Sequence, residues 1–256
     1  MEDEKSIQRH WETRARQYGS SLRGVLFQGL PDGLNEVIHR WHTGIVQDCF
    51  ATLLPADAKV SDIGCGYGRL SRVVRRERPQ SRLMGLDLNP VYCRTYQETI
   101  GPAVCGSAAH PPWPPECWDG ALVVTTLMYV ARPRCRDAVK AIVSSLRPGG
   151  IALFVDPGLE IAQLQRIIRP ESKHKTASGK GFRRSEYLKL FENAQVSVLN
   201  KGSNAFFTAF LPIMLLSGRW PSIARLICDL ALWLDQHIHA FTTFALHRWV
   251  MVRRDV

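Results

Sequence analysis

A chain of 256 residues with 45% hydrophobic and 22% charged residues has the balance of an ordinary globular protein, which excludes wholesale disorder and a fibrous architecture. Its formal net charge of +10 attracts anions: nucleic acid, an anionic membrane face, or a phosphorylated or carboxylated small molecule. The seven cysteines form no CxxC pair and no zinc-type spacing, which fits reduced thiols in a reducing, intracellular compartment.

The first residues, "MEDEKSIQRHWETRARQYG", are charged and lack the apolar core of a signal peptide. No apolar run reaches the roughly 18 residues that span a bilayer; the nearest, "AFFTAFLPIMLL", is short and carries Pro212. The expectation is a cytoplasmic protein, at most peripheral to the inner membrane face. Residues 1–54 read as a helical cap broken by "GLPDG", with Val37, Ile38, Trp41, Ile45, Val46 and Phe50 at helical spacing.

From 55 onward strands and helices alternate, the signature of a parallel sheet covered on both faces. Strands are predicted at 59–64, 82–88, 102–107, 119–126 and 150–156, and helices at 68–77, 90–100 and 133–146, the last stopped by "RPGG". A basic stretch, 158–182, then reads as a lid, followed by a helix at 185–194 and strands in "QVSVLNKG" and "TFALHRWVMVRR". Residues 205–242 form an apolar helical insertion before the last strand, so one domain divides into 1–54, 55–204, 205–242 and 243–256.

The most informative stretch is "DIGCGYG" at 62–68, a glycine turn between a strand and a helix. Such a turn presents backbone N–H groups and a helix N-terminus to a ligand. A dinucleotide fingerprint would need glycine at 69, which is Arg69, and no Gly-Lys-Ser/Thr follows to make a phosphate loop. Asp62, two positions before the first glycine, would repel a phosphate but suits a cationic nucleoside.

This motif resembles the first motif of the class I S-adenosylmethionine-dependent methyltransferases. "GLDLNP" at 85–90, "CWDGALVVTTLMYV" at 117–130 and "LRPGGIALFVDPG" at 146–158 are similar to the family's later motifs, in order, over about residues 58–158. The resemblance implies a Rossmann-like, doubly wound α/β fold with a seven-stranded sheet. The implied cofactor is S-adenosylmethionine, leaving as S-adenosylhomocysteine, with no metal.

Carried onto this chain, the family pattern implies that Gly64, Cys65, Gly66 and Gly68 form the turn and that Asp62 faces the methionyl ammonium. Asp87, beside Leu88, would accept both ribose hydroxyls. Ser107 and Ala108 would meet the adenine, with "GSA" where the family often has "GDA". Thr125 and Thr126 would sit at the carboxyl edge of the fourth strand, and Tyr18 resembles the "AxxY" closure over the cofactor.

Methyl transfer needs alignment of the nucleophile first, and a general base only for a weak nucleophile. Tyr129, His110 and His174 are the candidate catalytic residues, with His39 and His42 as further bases. "TTLM" after the fourth strand argues against adenine-N6, cytosine-N4 or glutamine methylation.

The expected reaction is O- or N-methylation of a hydrophobic or lipid- or glycoconjugate-linked small molecule, as in natural-product biosynthesis. The acceptor would be apolar or anionic, nucleic acid is not the expected partner, and 205–242 could make a peripheral membrane contact or a homodimer. The alternatives are an RNA methyltransferase, motivated by the charge, and a non-catalytic cofactor-binding scaffold subunit.

Overall fold

The computed structural model describes residues 4–28, 31–160, 179–216 and 221–256. The short apolar runs, each bounded by turn residues, pair into seven strands: β1 (Lys59–Ile63), β2 (Arg82–Asp87), β3 (Ala103–Cys105), β4 (Trp118–Val124), β5 (Leu146–Pro157), β6 (Val196–Ser203) and β7 (His247–Arg254). Their order is β3-β2-β1-β4-β5-β7-β6. β1 to β5 run parallel, while β7 inserts antiparallel between β5 and β6. Strand order reverses between β1 and β4, which opens a crevice at their carboxyl ends.

Alternation along β4 sends Leu122 and Val124 to one face and Ala121 and Val123 to the other. The first face packs under α3 (Asp32–Gly44), its π-helical continuation Ile45–Phe50 and α4 (Ser71–Glu77), through Trp41, Val46, Phe50 and Val74. The second is covered by α6 (Arg132–Ser145) and α7 (Arg184–Lys189). α5 (Pro90–Thr99) starts sharply because Asn89 caps it, its side chain accepting the Val91 N–H at 2.8 Å, with Pro90 in the first turn.

Sequence and structure differ mainly at element ends. α6 ends at Ser145, before "RPGG" as expected, and "RPGG" itself enters β5, with Leu146 opposite Trp118 and Ile151 opposite Gly120, a register shift that absorbs the extra residues. The helix predicted at 68–77 starts only at Ser71, because Gly68 is left-handed at φ +80°. The third strand shortens to Ala103–Cys105.

The N-terminal segment contributes α1 (Glu4–Tyr18), α2 (Leu22–Val25) and α3. The insertion forms α8 (Ala205–Leu216) and α9 (Pro221–His237). Leu34, Val37 and Ile38 bury against Phe207, Leu211 and Cys228, so the insertion docks on α3. α8 begins on a cap from its neighbour: Asp235 accepts the N–H groups of Phe206 at 2.9 Å and Phe207 at 2.8 Å. α9 leaves Leu226, Leu230 and Trp233 exposed at i, i+4 and i+7, one stripe on one face. Among the described residues no helix is long and apolar enough to cross a membrane.

Candidate active site

β1 delivers the chain to the glycine turn at the open edge of the sheet. Gly64, Gly66 and Gly68 all take positive φ, +75°, +52° and +80°. A Cβ on Gly64 would collide with Thr126, whose Cγ2 would lie at 2.8 Å and whose hydroxyl would be nearer still. A Cβ on Gly68 would meet the Tyr96 ring at 3.1 Å, so this glycine serves packing on α5, away from the crevice.

The crevice is a cavity of about 330 Å³ whose walls include Gly64, Gly66, Asp87, Leu88, Ser107, Ala108, Thr125, Thr126 and Tyr129. Nine expected site residues, from four separate stretches of chain, thus meet at one place. Thr125 is left-handed at φ +54°, a conformation β-branched residues rarely adopt. Its N–H is held by the Val155 carbonyl at 2.6 Å, and the Thr126 hydroxyl donates to the Ile63 carbonyl at 3.0 Å.

Asp87 ends β2 and binds the turn directly: Oδ2 accepts the Gly66 N–H at 2.8 Å and Oδ1 accepts the Asn89 N–H at 2.8 Å. Burial pushes this carboxyl up to about 6, against the opposing pull of the N–H groups of Asn89, Gly66 and Leu88. Each oxygen keeps a further lone pair for a ligand hydroxyl.

At the other end Ser107 donates its hydroxyl to the Glu4 carboxylate, and both residues line the cavity. The acid that "GDA" would have placed at 107 therefore arrives from α1. Glu4, Ile7 and Trp11 all line the cavity at i, i+3 and i+7, the inner face of that helix. Trp11 meets Tyr129 edge-on at 5.3 Å, and the buried Arg14 lies over Trp11 at 4.8 Å while donating to the carbonyls of Arg23 and Leu26. α1 is pinned over the cavity by Arg14, and Trp11 occupies the closing place expected of Tyr18, which does not line it.

Several other expected residues stand apart. Asp62 is 4% exposed, and its Oδ2 accepts the Ser71 hydroxyl at 2.7 Å, Ser71 in turn lying 2.7 Å from the Tyr96 hydroxyl. It sits beneath the turn with a partner of its own, and burial pushes its carboxyl up to about 6. Cys65 points into the core, its Sγ facing Gly85. His110 is exposed and does not line the cavity, and His174 lies outside the described residues, as does most of the basic 158–182 stretch. The described ends of that stretch meet: Leu159 N–H donates to the Phe182 carbonyl at 3.0 Å, and Lys180 N–H to the Met128 carbonyl at 2.9 Å.

Tyr129 stays a neutral phenol, pushed up to about 12 by burial despite the pull of Arg14. Behind its turn, buried Asp156 accepts the Met128 N–H at 3.0 Å and the Tyr187 hydroxyl at 3.3 Å. Burial raises Asp156 to about 8. The folded protein therefore holds this proton where the unfolded chain, near 4, has released it, and stability falls as pH rises between those values. Asp156→Asn, which mimics the protonated acid, is expected to raise the melting temperature relative to the parent at pH 8 and to change it little at pH 5. Thermal melts at the two pH values check this.

Among the described residues no group of three or more His, Cys, Asp or Glu side chains could hold a metal ion. Compared with known proteins, residues 60–150 match the family described as "Methyltransferase domain". Trans-aconitate 2-methyltransferase of Streptomyces avermitilis is 31% identical over 124 residues, 45% of this chain and 45% of that one, so the match spans about half of the relative's length. Among solved structures, the protein complexed with the Trm112 methyltransferase activator of Haloferax volcanii superposes with a TM-score of 0.62 at 18% identity, covering 98% of both chains. The cyclase SpnF also reaches 0.62, at 14% identity, covering 99% of this chain and 96% of its own.

Proposed function

We propose that the chain is a class I S-adenosylmethionine-dependent methyltransferase, a reading that the methyltransferase-domain match over residues 60–150 supports, and that it transfers a methyl group to an oxygen or nitrogen of a small-molecule acceptor, hydrophobic or joined to a lipid or glycoconjugate. The fold alone would not carry this, because a cyclase shares it. The observation that carries it is Asp87, fixed by the Gly66 and Asn89 N–H groups with lone pairs left at the cavity wall. A carboxylate there suits a ribose diol, and the buried charge of Asp62 beneath the turn favours a cationic nucleoside over a phosphate. A relative named for a small acceptor, trans-aconitate, supports the small-molecule class.

When bound, S-adenosylmethionine supplies an electrophilic methyl carbon on a sulfonium. The chain's own residues bind and align. Asp87 would take the ribose, Ser107 and Glu4 the adenine edge, and the left-handed Thr125 with Thr126 sets the floor at the end of β4. Trp11 and Tyr129 meet edge-on and form an aromatic wall of the cavity. As a neutral phenol Tyr129 donates a hydrogen bond and is a poor base at neutral pH, so it orients an acceptor that is already nucleophilic.

Calorimetric titration with S-adenosylmethionine, followed by mass spectrometry of candidate acceptors, tests the reading. One site per chain and a product heavier by one methylene are expected. No binding heat would sink it. Glu4→Ala should weaken cofactor binding about tenfold, the worth of one charge-assisted hydrogen bond, while Glu4→Gln, which still accepts from Ser107, should lose less. Equal affinities for all three proteins would remove α1 from the site.

A further inference from the structure

Beside the cavity, under α3, lies a buried polar cluster that the reading above does not use. Trp41 and His42 come from α3, His247 opens β7 opposite Pro157 of β5, and Asn204 precedes α8; each is at most 2% exposed. The rings of Trp41, His42 and His247 lie 5.0–6.2 Å apart, and Asn204 Oδ1 accepts the His247 N–H at 2.7 Å. Four buried atoms here have no hydrogen-bond partner among the described residues: Trp41 Nε1, His42 Nε2, His247 Nδ1 and Asn204 Nδ2. Such a concentration of unpaired polar atoms is costly unless something completes it.

The chemistry of those atoms is one-sided. Arg69 donates to His42 Nδ1 at 3.0 Å and to His39 Nδ1 at 3.2 Å, and a guanidinium can only donate, so the His42 proton sits on Nε2. Trp41 Nε1 and Asn204 Nδ2 are donors as well, which makes three donors and one imidazole nitrogen of either role. Burial, with Arg69 adding to it, pushes His42 well down and His247 down to about 3, so both rings are neutral. Arg69 meets only neutral histidines in its hydrogen bonds, and Asp62, whose charge it feels, is engaged by Ser71. A guanidinium that forms no ion pair among the described residues, backing three donors without partners, fits a small planar oxyanion.

The position fits too. Val25 lines the cavity and packs 3.2 Å from where a Gly66 Cβ would be, and Phe27, two residues on, lies 5.6 Å from His247. Of the rings packed on His247 among the described residues, Phe27 is the one that reaches the surface. We propose that Trp41, His42, Asn204 and His247 form a subsite that anchors a carboxylate of the methyl acceptor beside the cofactor cavity, entered past Phe27. This rests on the methyltransferase reading and names its acceptor class as carboxylated.

The test titrates the full chain, saturated with S-adenosylhomocysteine, with octanoate, benzoate and trans-aconitate and with the neutral octanamide and benzamide, while imidazole ¹⁵N shifts of His42 and His247 are followed. At least one carboxylate is expected to bind ten times or more tighter than its neutral counterpart and to move both histidine signals. His42→Phe should lose that binding at least tenfold, His42→Gln, which keeps a donor near the Nε2 position, should recover it to within threefold, and cofactor affinity should stay within twofold in both. Amides that bind equally well, carboxylates that leave the histidine signals still, or no carboxylate binding beside normal cofactor binding would each overturn the subsite and mark the cluster as a buried water site. Losses in His42→Phe that track cofactor affinity would assign Arg69 and His42 to the cofactor and overturn it as well. Absence of cofactor binding in the parent chain would instead overturn the methyltransferase reading beneath it.

Discussion

Asp87→Ala should abolish measurable S-adenosylmethionine binding under conditions where the parent binds, a loss of about 100-fold or more. Two hydrogen bonds to a charged acceptor are worth about 1.5–3 kcal/mol each, and the change also strands the Gly66 and Asn89 N–H groups that the carboxylate now satisfies. The same carboxyl sets a pH limit. Burial holds it near 6 and the ribose hydroxyls need its ionised form, so affinity should be flat above pH 7 and fall about tenfold by pH 5. Asp62 also lies near 6, which Asp87→Asn separates: residual binding by that variant should lose most of its pH dependence if Asp87 is the titrating group. Calorimetry between pH 5 and pH 8 reads both effects, and an unchanged slope in Asp87→Asn would move the titration to Asp62.

Gly64→Ala is the second large effect, and it acts on the fold before the ligand. An alanine at φ +75° costs about 1–2 kcal/mol, and its methyl would drive into Thr126, with Cγ2 at 2.8 Å and Cβ at 2.9 Å. Thr126 cannot simply yield, because its hydroxyl donates to the carbonyls of Ile63 at 3.0 Å and Val124 at 3.1 Å. A destabilisation of about 3 kcal/mol or more is expected, together with loss of cofactor binding. Thr126→Gly in the same chain should restore part of it by removing the clash and leaving only the backbone cost. Chemical denaturation of the single and double variants measures this; a Gly64→Ala chain as stable as the parent would mean that the turn relaxes freely and is not the rigid cradle described.

The parts legible in the sequence were those in which local chemistry and site chemistry coincide. Glycines that must be left-handed, an acid closing β2 and a threonine pair ending β4 are all adjacent in sequence to the elements that place them, so "DIGCGYG", "GLDLNP" and "TTLM" could be read in isolation. Ser107 looked like a departure because its acid comes from Glu4, more than a hundred residues away in the N-terminal helical cap. The spacing of Glu4, Ile7 and Trp11 on one helix face is the local signal from which the inner side of α1 can be read.

Asp62 has a protein partner that its motif does not announce. An acid ending a buried strand requires a partner; the motif pointed to a ligand, and Ser71, the first residue of α4, also supplies a hydroxyl. The imidazoles were the least legible. His39 and His42 read as candidate bases on an N-terminal helix, and nothing local joins them to Arg69 or to His247 at the start of the last strand. Only the long connection through the insertion brings β7 back beside β5 and completes that cluster.

The central claim, that the crevice between β1, β2 and β4 holds S-adenosylmethionine by its ribose on Asp87, is tested most directly by the crystal structure of the full chain with S-adenosylhomocysteine. Both ribose hydroxyls are expected on the Asp87 carboxylate, the adenine edge beside Ser107 and Glu4, and Trp11 of α1 closed over the ligand. A ligand bound elsewhere, or in this crevice with its ribose away from Asp87, would contradict it.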